Sequence, residues 1–134
     1  MTYLLDTNVC VQYLRGRNAL VLQRLQDTPS SEVCLCAVVQ SELFLGALRS
    51  ANPPSNRAKV DAFVMPYVSF AFDDAAALLH AHIRHQLETA GMPIGPSDLQ
   101  IAAIALANGL RLVTHNTAEF CRVPGLLLDD WESP

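Results

Sequence analysis

The chain has 134 residues, of which 51% are hydrophobic and 16% charged, a composition typical of one folded domain and not of a disordered segment. Its apolar stretches are too short to cross a membrane and its first residues lack the basic start of a secretory signal, so we expect a cytoplasmic protein without a membrane partner. A net charge of −4 excludes a nucleic-acid binder that relies only on its own positive charge.

Strand and helix patterns alternate along the first half of the chain. Residues 3–5 are predicted to form a buried strand ending at Asp6, and Thr7 or Asn8 is expected to cap the helix that follows. A second helix is predicted over residues 19–26. The continuous apolar run 33–38 predicts a strand covered on both faces, followed by a helix over residues 40–48 and a loop over 52–56.

The alternation continues in the second half. We expect a helix over residues 57–64, a strand over 67–70 and a long helix that Asp73 or Asp74 caps. Ser97 is predicted to cap a helix over residues 98–108, and Gly109 to end it. A strand over 110–114, a short helix over 117–121 and a strand over 126–128 complete one domain spanning residues 1–134. This order predicts a three-layer α/β/α sandwich with a mainly parallel central sheet.

The four cysteines, Cys10, Cys34, Cys36 and Cys121, lie inside apolar runs without the spacing of a zinc site. We therefore expect buried free thiols in a reducing compartment.

Acidic and amide side chains recur where predicted strands end. Asp6 follows the first strand, Glu42 lies in the first turn of the helix after the second, and Asn116 and Glu119 follow the fourth. Asp98 begins the helix that turns back into the fourth strand, so it belongs to the same edge. In open parallel sheets the ligand crevice forms outside the carboxyl ends of the strands, and we expect these side chains to converge there.

A cluster of carboxylates is costly, because two like charges about 4 Å apart repel by about 4 kcal/mol at an effective dielectric of 20. Protons or bound cations relieve that repulsion, and a dense set of oxygen ligands suits Mg²⁺ or Mn²⁺. Such ions activate water for phosphodiester hydrolysis. Each acid alone has a structural explanation: Asp98 could be a helix cap and Glu42 a solvated surface residue. The indication of a metal site comes from the acids taken together and not from any one of them.

Four motifs in chain order resemble those of the PIN-domain family, and in particular of the VapC toxins of bacterial toxin–antitoxin pairs. The first is Tyr3-Leu4-Leu5-Asp6-Thr7-Asn8 and the second is Ser41-Glu42-Leu43 with Gly46-Ala47. The third runs from Pro93 through Asp98 to Ala103, and the fourth from Val113 through Asn116 and Glu119 to Phe120. The closing Val123-Pro124-Gly125 and Asp130-Trp131 resemble the tail of the same family.

The resemblance implies a Mg²⁺- or Mn²⁺-dependent endoribonuclease whose products carry a 5′-phosphate and a 3′-hydroxyl. Family targets include tRNA, the anticodon stem-loop of initiator tRNA among them, and a ribosomal RNA loop. It also implies a homodimer that a VapB-type antitoxin binds and inhibits in a hetero-oligomer that represses its own operon.

For the site, the resemblance implies Asp6, Asp98 and Glu42 as metal ligands. Thr7 and Asn8 would hold Asp6 by hydrogen bonds. The fourth motif departs from the commonest family form, since His115 replaces an arginine and Asn116 stands where some members carry an acid. Glu119 could then complete the metal site in its place, and either Asn116 or Glu119 fits the sequence. Arg15 is a further candidate phosphate contact, although a solvated helix end explains it equally well.

Two rival functions fit parts of the pattern. A haloacid-dehalogenase-like phosphatase also begins with an apolar strand and an acid, but it requires a second aspartate where this chain has Asn8. A catalytically inactive PIN scaffold that acts only by binding a partner would not need Asp6, Glu42 and Asp98 together.

Overall fold

The computed structural model describes residues 2–134 and contains one five-stranded sheet in the order β3-β2-β1-β4-β5. Every neighbouring pair of strands is parallel, as the alternation of strands and helices predicted. The strands are β1 (Tyr3–Leu5), β2 (Val33–Cys36), β3 (Val68–Phe70), β4 (Arg111–Val113) and β5 (Leu128–Asp129).

Seven α-helices connect or follow these strands in the described part of the chain. They are α1 (Thr7–Arg15), α2 (Ala19–Asp27), α3 (Ala37–Leu48), α4 (Pro53–Val64), α5 (Asp74–Thr89), α6 (Pro96–Ala107) and α7 (Thr117–Phe120). All four side chains of β2 are buried, although successive side chains of a strand point to opposite faces of the sheet. Helices therefore cover both faces, which confirms the three-layer α/β/α arrangement.

Two predicted boundaries near β2 were wrong. The strand was expected to run to residue 38 and the next helix to start at residue 40, but β2 ends at Cys36 and α3 begins at Ala37. Val38 and Val39 favour strands when judged alone, and here the helix is buried along one side, so packing outweighs that preference. Glu42 consequently lies in the second turn of α3 and not in the first.

The predicted caps or first residues of three helices were also wrong. Asp6, not Thr7 or Asn8, caps α1, since its carboxylate accepts the Val9 N–H. Residues 53–56 were predicted to be loop, yet α4 begins at Pro53 behind the cap residue Asn52, because proline is well suited to the first helical position. Gly95, not Ser97, precedes the first turn of α6, which starts at Pro96 without a side-chain cap.

At the C-terminal end, the last strand was expected over residues 126–128 but spans Leu128–Asp129. Asp73, one of the two predicted candidates, caps α5. Cys10, Cys34 and Cys36 are buried as predicted, whereas Cys121 is exposed. Within residues 2–134, no helix is both long enough and apolar enough to cross a bilayer.

Candidate active site

The topology of the sheet brings the predicted acids to one edge. Asp6 follows β1 directly, and its backbone N–H donates to the Val113 carbonyl of neighbouring β4 at 3.0 Å. Helix α6 runs back along the sheet before β4, so Asp98 in its first turn lies at the carboxyl end of the strands. Helix α7 leaves β4 at the same edge and carries Glu119.

Asp6 is a buried carboxyl group, with only 5% of its surface exposed. The Val9 N–H donates to its Oδ1 at 2.9 Å. Burial raises the pKa of Asp6 to about 6, although the Thr114 hydroxyl and the Val9 N–H favour the ionised form and lower it. The negative charges of Glu132 and Glu42 raise it further. Desolvation is therefore the main reason why this carboxyl group ionises reluctantly.

Asp98 is partly buried and faces the other acids. Burial raises the pKa of Asp98 to about 6, and the charges of Glu119, Asp6 and Glu42 add to the increase, in that order. Gly95 lies beside both acids: a Cβ there would stand 3.7 Å from Asp98 Oδ2 and 3.9 Å from Glu119 Oε1, which is ordinary van der Waals contact.

Glu42 is held by Thr7, whose hydroxyl donates to Glu42 Oε1 at 2.6 Å. Thr7 was predicted to hold Asp6, and in the structure it links α1 to α3 instead. Asn8 is exposed, and its side chain makes no hydrogen bond with residues 2–134. Asp6 is instead positioned by the backbone of Val9 and by Thr114.

Asn116 and Glu119 occupy different places in the site. Glu119 Oε1 accepts the Gly95 N–H at 2.9 Å, and Glu119 Oε2 accepts the Asn116 side-chain amide at 2.5 Å. Because Glu119 is the charge that raises the pKa of Asp98 most, its carboxylate belongs to the acidic cluster. Asn116 contacts that carboxylate and orients it.

The C-terminal tail also reaches this edge, which the sequence interpretation missed. β5 pairs with β4 in parallel, so the segment after β5 emerges beside the loop after β4. Ligand atoms of His115, Asp130 and Glu132 lie within 4.8 Å of one another, and His115 Nδ1 is 3.0 Å from Asp130 Oδ2. The sequence signal was present: acids that follow a final strand belong to the same edge as acids that follow its neighbours.

No basic side chain neutralises the acidic cluster in the described part of the chain. The ion pairs there join Arg24 to Asp129, Arg57 to Asp61, Arg84 to Glu88 and His115 to Asp130. The cluster formed by Asp6, Glu42, Asp98 and Glu119 takes part in none of them. Protons or a cation must relieve the repulsion, and a set of carboxylate oxygens is the environment that hard divalent cations prefer.

Comparison with known proteins identifies the family of this fold and site. The PIN domain family model matches residues 3–126. The tRNA(fMet)-specific endonuclease VapC of Shigella flexneri is 37% identical over 131 residues, which cover 98% of each chain. The chain belongs to the PIN-domain family, among its VapC proteins. Ribonuclease VapC2 of Rickettsia felis is another VapC relative, 32% identical over 133 residues that cover 98% of this chain and 99% of the relative.

Solved VapC folds match over nearly the full length. The DNA-bound VapBC structure from Salmonella typhimurium contains a chain with a TM-score of 0.92 and 34% identity, covering 98% of both chains. The structure of VapBC2 from Rickettsia felis, bound to a DNA fragment from its promoter, contains a chain with a TM-score of 0.90 and 31% identity. The match covers 98% of this chain and 99% of that one. The fold that carries the parallel sheet and its acidic edge is thus similar to solved VapC folds over nearly its full length.

Proposed function

We propose that this chain, as one PIN domain over residues 1–134, is the toxin of a type II toxin–antitoxin pair and hydrolyses RNA phosphodiester bonds with Mg²⁺ or Mn²⁺. The observation that carries the proposal is that Glu119, Asp6 and Glu42 lie close enough to Asp98 at one sheet edge to raise its pKa, and that none of these four acids forms an ion pair with an arginine or lysine in the described part of the chain. Membership in the VapC group supplies the reaction class: the relatives are named ribonucleases and endonucleases.

The residue types at this edge suit a divalent cation, although among the described residues only His115, Asp130 and Glu132 already bring three ligand atoms within 4.8 Å of one another. Asp6 and Asp98 both have raised pKa values of about 6, so each pays a free-energy penalty for ionising that a cation would remove. Asp6, Asp98 and Glu42 would hold the ion, and Glu119 would complete the set with Asn116 orienting it. When bound, the ion supplies an activated water and offsets the charge that develops on the phosphate.

Hydrogen bonds from backbone and side-chain groups hold three of the four carboxylates before any ion binds. Val9 N–H and the Thr114 hydroxyl hold Asp6, the Thr7 hydroxyl holds Glu42, and Gly95 N–H with Asn116 holds Glu119. Fixing three of the four carboxylates by hydrogen bonds lowers the cost of ordering the ligands on binding. Since Asp6 precedes α1 and the other acids lie on α3, α6 and α7, the relative positions of β1 and these helices set the spacing of the oxygens.

The partners follow by extension from the relatives. A VapC relative is specific for tRNA(fMet) by name, and the structural neighbours are VapBC complexes, some bound to DNA. We extend both features to this chain: a tRNA substrate in the cytoplasm, the initiator tRNA anticodon stem-loop included, and a VapB-type antitoxin that binds a homodimeric toxin in a hetero-oligomer. Sequencing of RNA ends after brief expression would identify the substrate.

The test compares the wild-type chain with two isosteric variants. Asp6→Asn and Asp98→Asn should each abolish RNA cleavage and growth toxicity and weaken Mn²⁺ binding in calorimetry, since each deletes a negative charge from the cluster. Asp27→Asn, at the exposed end of α2, is the matched control and should cleave like the wild type. Undiminished cleavage by either site variant would contradict the metal mechanism.

The alternative is an inactive scaffold that acts only by binding a partner. The raised pKa values of Asp6 and Asp98 disfavour it, because a scaffold gains nothing from burying these carboxyl groups among other acids. The same calorimetry separates the two, since a scaffold should show no Mn²⁺ binding that depends on Asp6 or Asp98.

A further inference from the structure

The nine lysines and arginines of the chain fall into two groups by their contacts within residues 2–134. Arg24, Arg57 and Arg84 form ion pairs with carboxylates, and the guanidinium groups of Arg111 and Arg122 donate to backbone carbonyls. The second group makes neither contact in that part of the chain and consists of Arg15, Arg17, Arg49 and Lys59. The fold therefore leaves this second group available to an external ligand.

Three of these available cations line a single groove. The groove has a volume of about 640 Å³ and runs between α1, α3 and α4, with Arg15, Arg17 and Lys59 on its walls. Glu42 of the acidic cluster lines the same groove, so the groove adjoins the acidic cluster at this residue. Residues that are distant in sequence thus bring positive charges without ion-pair partners to the groove that Glu42 also lines.

Gly46 on α3 is a second, independent feature of this groove. It lies inside the helix Ala37–Leu48, where glycine costs roughly 1 kcal/mol relative to alanine. Its backbone does not require a glycine, and a Cβ built there would meet nothing within 4 Å. No contact inside the described chain explains this cost. A ligand that passes close to the helix surface does explain it, because a glycine lets the backbone be approached closely.

Charge complementarity selects the ligand. The chain carries a net charge of −4 and its active-site edge is acidic, so phosphates next to the scissile bond need a local source of positive charge. Unpaired RNA strands are bound by positively charged grooves that follow the backbone. A groove with three cations that shares Glu42 with the acidic cluster meets this requirement on one side of the cleavage point.

We propose that the groove between α1, α3 and α4 holds the ribose–phosphate backbone of an unpaired RNA strand, with Arg15, Arg17 and Lys59 contacting successive phosphates and Gly46 providing clearance. This inference rests on the proposed ribonuclease function and deepens it by assigning a substrate subsite. The groove fixes the path of the strand beside the acids, and base recognition belongs to other surfaces.

The first experiment measures affinity separately from cleavage. A fluorescent single-stranded RNA is titrated with the Asp98→Asn chain in Mg²⁺ at several NaCl concentrations, and Arg17→Gln and Lys59→Gln are then added singly on that background. Each should weaken binding several-fold and reduce the slope of log affinity against log salt by about 0.7, the value for one contact to single-stranded nucleic acid. Arg84→Gln removes the same charge from the ion-paired Arg84 on α5 and should leave the slope unchanged.

The second experiment fills the groove without changing its charge. Gly46→Leu should weaken RNA binding at every salt concentration, whereas Gly46→Ala, with a single added carbon, should have a much smaller effect. Circular dichroism of both variants checks that α3 is intact. Equal affinity for all of these variants and the parent would overturn the proposal.

Wild-type cleavage with Mn²⁺, run in parallel, separates this inference from the proposed function. If the wild type cleaves RNA and the groove variants bind and cleave normally, the subsite is wrong and the ribonuclease function stands. If the wild type does not cleave but RNA binding still depends on Arg17 and Lys59, the subsite stands and the function is wrong. Loss of antitoxin copurification with unchanged RNA affinity would assign the groove to the protein partner and overturn the RNA subsite.

Discussion

At the scale of single residues, Asp6 and Asp98 combine two demands that oppose each other. Burial and neighbouring acids raise the pKa of each to about 6 from the ordinary value of 3.8, yet only the ionised form binds a cation. The metal-free fold is therefore electrostatically strained near neutral pH. That strain is the physical basis for expecting a cation at this position.

The pH dependence of stability follows from these raised pKa values. The folded chain holds both protons more tightly than the unfolded chain, so the stabilisation is complete below about pH 4 and is lost as the pH rises to about 6. Each pKa unit corresponds to about 1.4 kcal/mol, so the shift of the buried Asp6 accounts for a fall in metal-free stability on the order of 3 kcal/mol across this window, and the half-exposed Asp98 adds a smaller amount because solvent screens its charge. Urea unfolding in EDTA at closely spaced pH values measures it, and a flat profile would contradict the pKa values.

Asp98→Asn should make the metal-free protein more stable while it abolishes cleavage. The variant removes a charge that burial and three acids oppose, and because Asp98 is only partly buried we expect a gain of roughly 1 kcal/mol at pH 8. Thermal unfolding in EDTA and again with Mn²⁺ measures the effect. The variant should gain less from Mn²⁺ than the wild type, and a variant destabilised in EDTA would indicate a purely structural role for Asp98.

At the scale of helices and strands, the sequence predicted which elements exist better than where they begin. Short continuous apolar segments between the helices predicted the strands, because a strand that is covered on both faces needs apolar side chains on both. The starts of α3, α4 and α6 were misjudged. Residue preferences at a helix start are weak compared with tertiary packing, and the prolines that begin α4 were interpreted as a break when they were a start signal.

The N-terminal cap of α5 allows a prediction in which the neighbouring Asp74 serves as the control for Asp73. Asp73 accepts the Ala76 N–H at 3.0 Å, whereas Asp74 is in the first turn without this bond. Asp73→Ala should destabilise the fold by about 1 kcal/mol because an orphan N–H loses its partner. Asp74→Ala should cost only a few tenths of a kcal/mol through the helix dipole. Urea unfolding midpoints compare the two, and equal losses would argue against the assigned cap.

At the scale of the whole molecule, the C-terminal tail is anchored by one aromatic side chain. Trp131 is 1% exposed, stands edge-on to Tyr3 with centroids 5.3 Å apart, and lies under the Arg24 guanidinium. Its indole N–H donates to Asp129 at 3.2 Å. These contacts fasten the tail to the first strand and bring Glu132 close to Asp6.

Trp131→Ala should therefore have a global effect. Truncation of a buried tryptophan costs about 3–5 kcal/mol, and release of the tail would also withdraw the Glu132 charge from Asp6 and lower the pKa of that carboxyl group. Trp131→Phe, which keeps an aromatic ring but loses the indole N–H, should cost clearly less. Chemical denaturation of both variants tests this, and equal losses would assign the effect to the hydrogen bond instead of the packed ring.

The sequence could predict Asp6, Glu42, Asp98 and Glu119 at one edge because parallel topology alone fixes which ends of the strands coincide. It could not predict that Thr7 holds Glu42, because that contact depends on the rotation of α1 against α3. Nor did it reveal the groove cations as a group, since Arg15, Arg17 and Lys59 come to line one groove only when α1, α3 and α4 pack together.

The central position of β1 has a consequence for the timing of activity during synthesis. The earliest of the five strands, β1, lies between β2 and β4, and Asp6 is fixed by Val113 and Thr114, which follow it far along the sequence. A nascent chain therefore carries its first acid without the structure that orients it. Nuclease activity would therefore begin only after the segment that carries Val113 and Thr114 has been made and has folded beside β1.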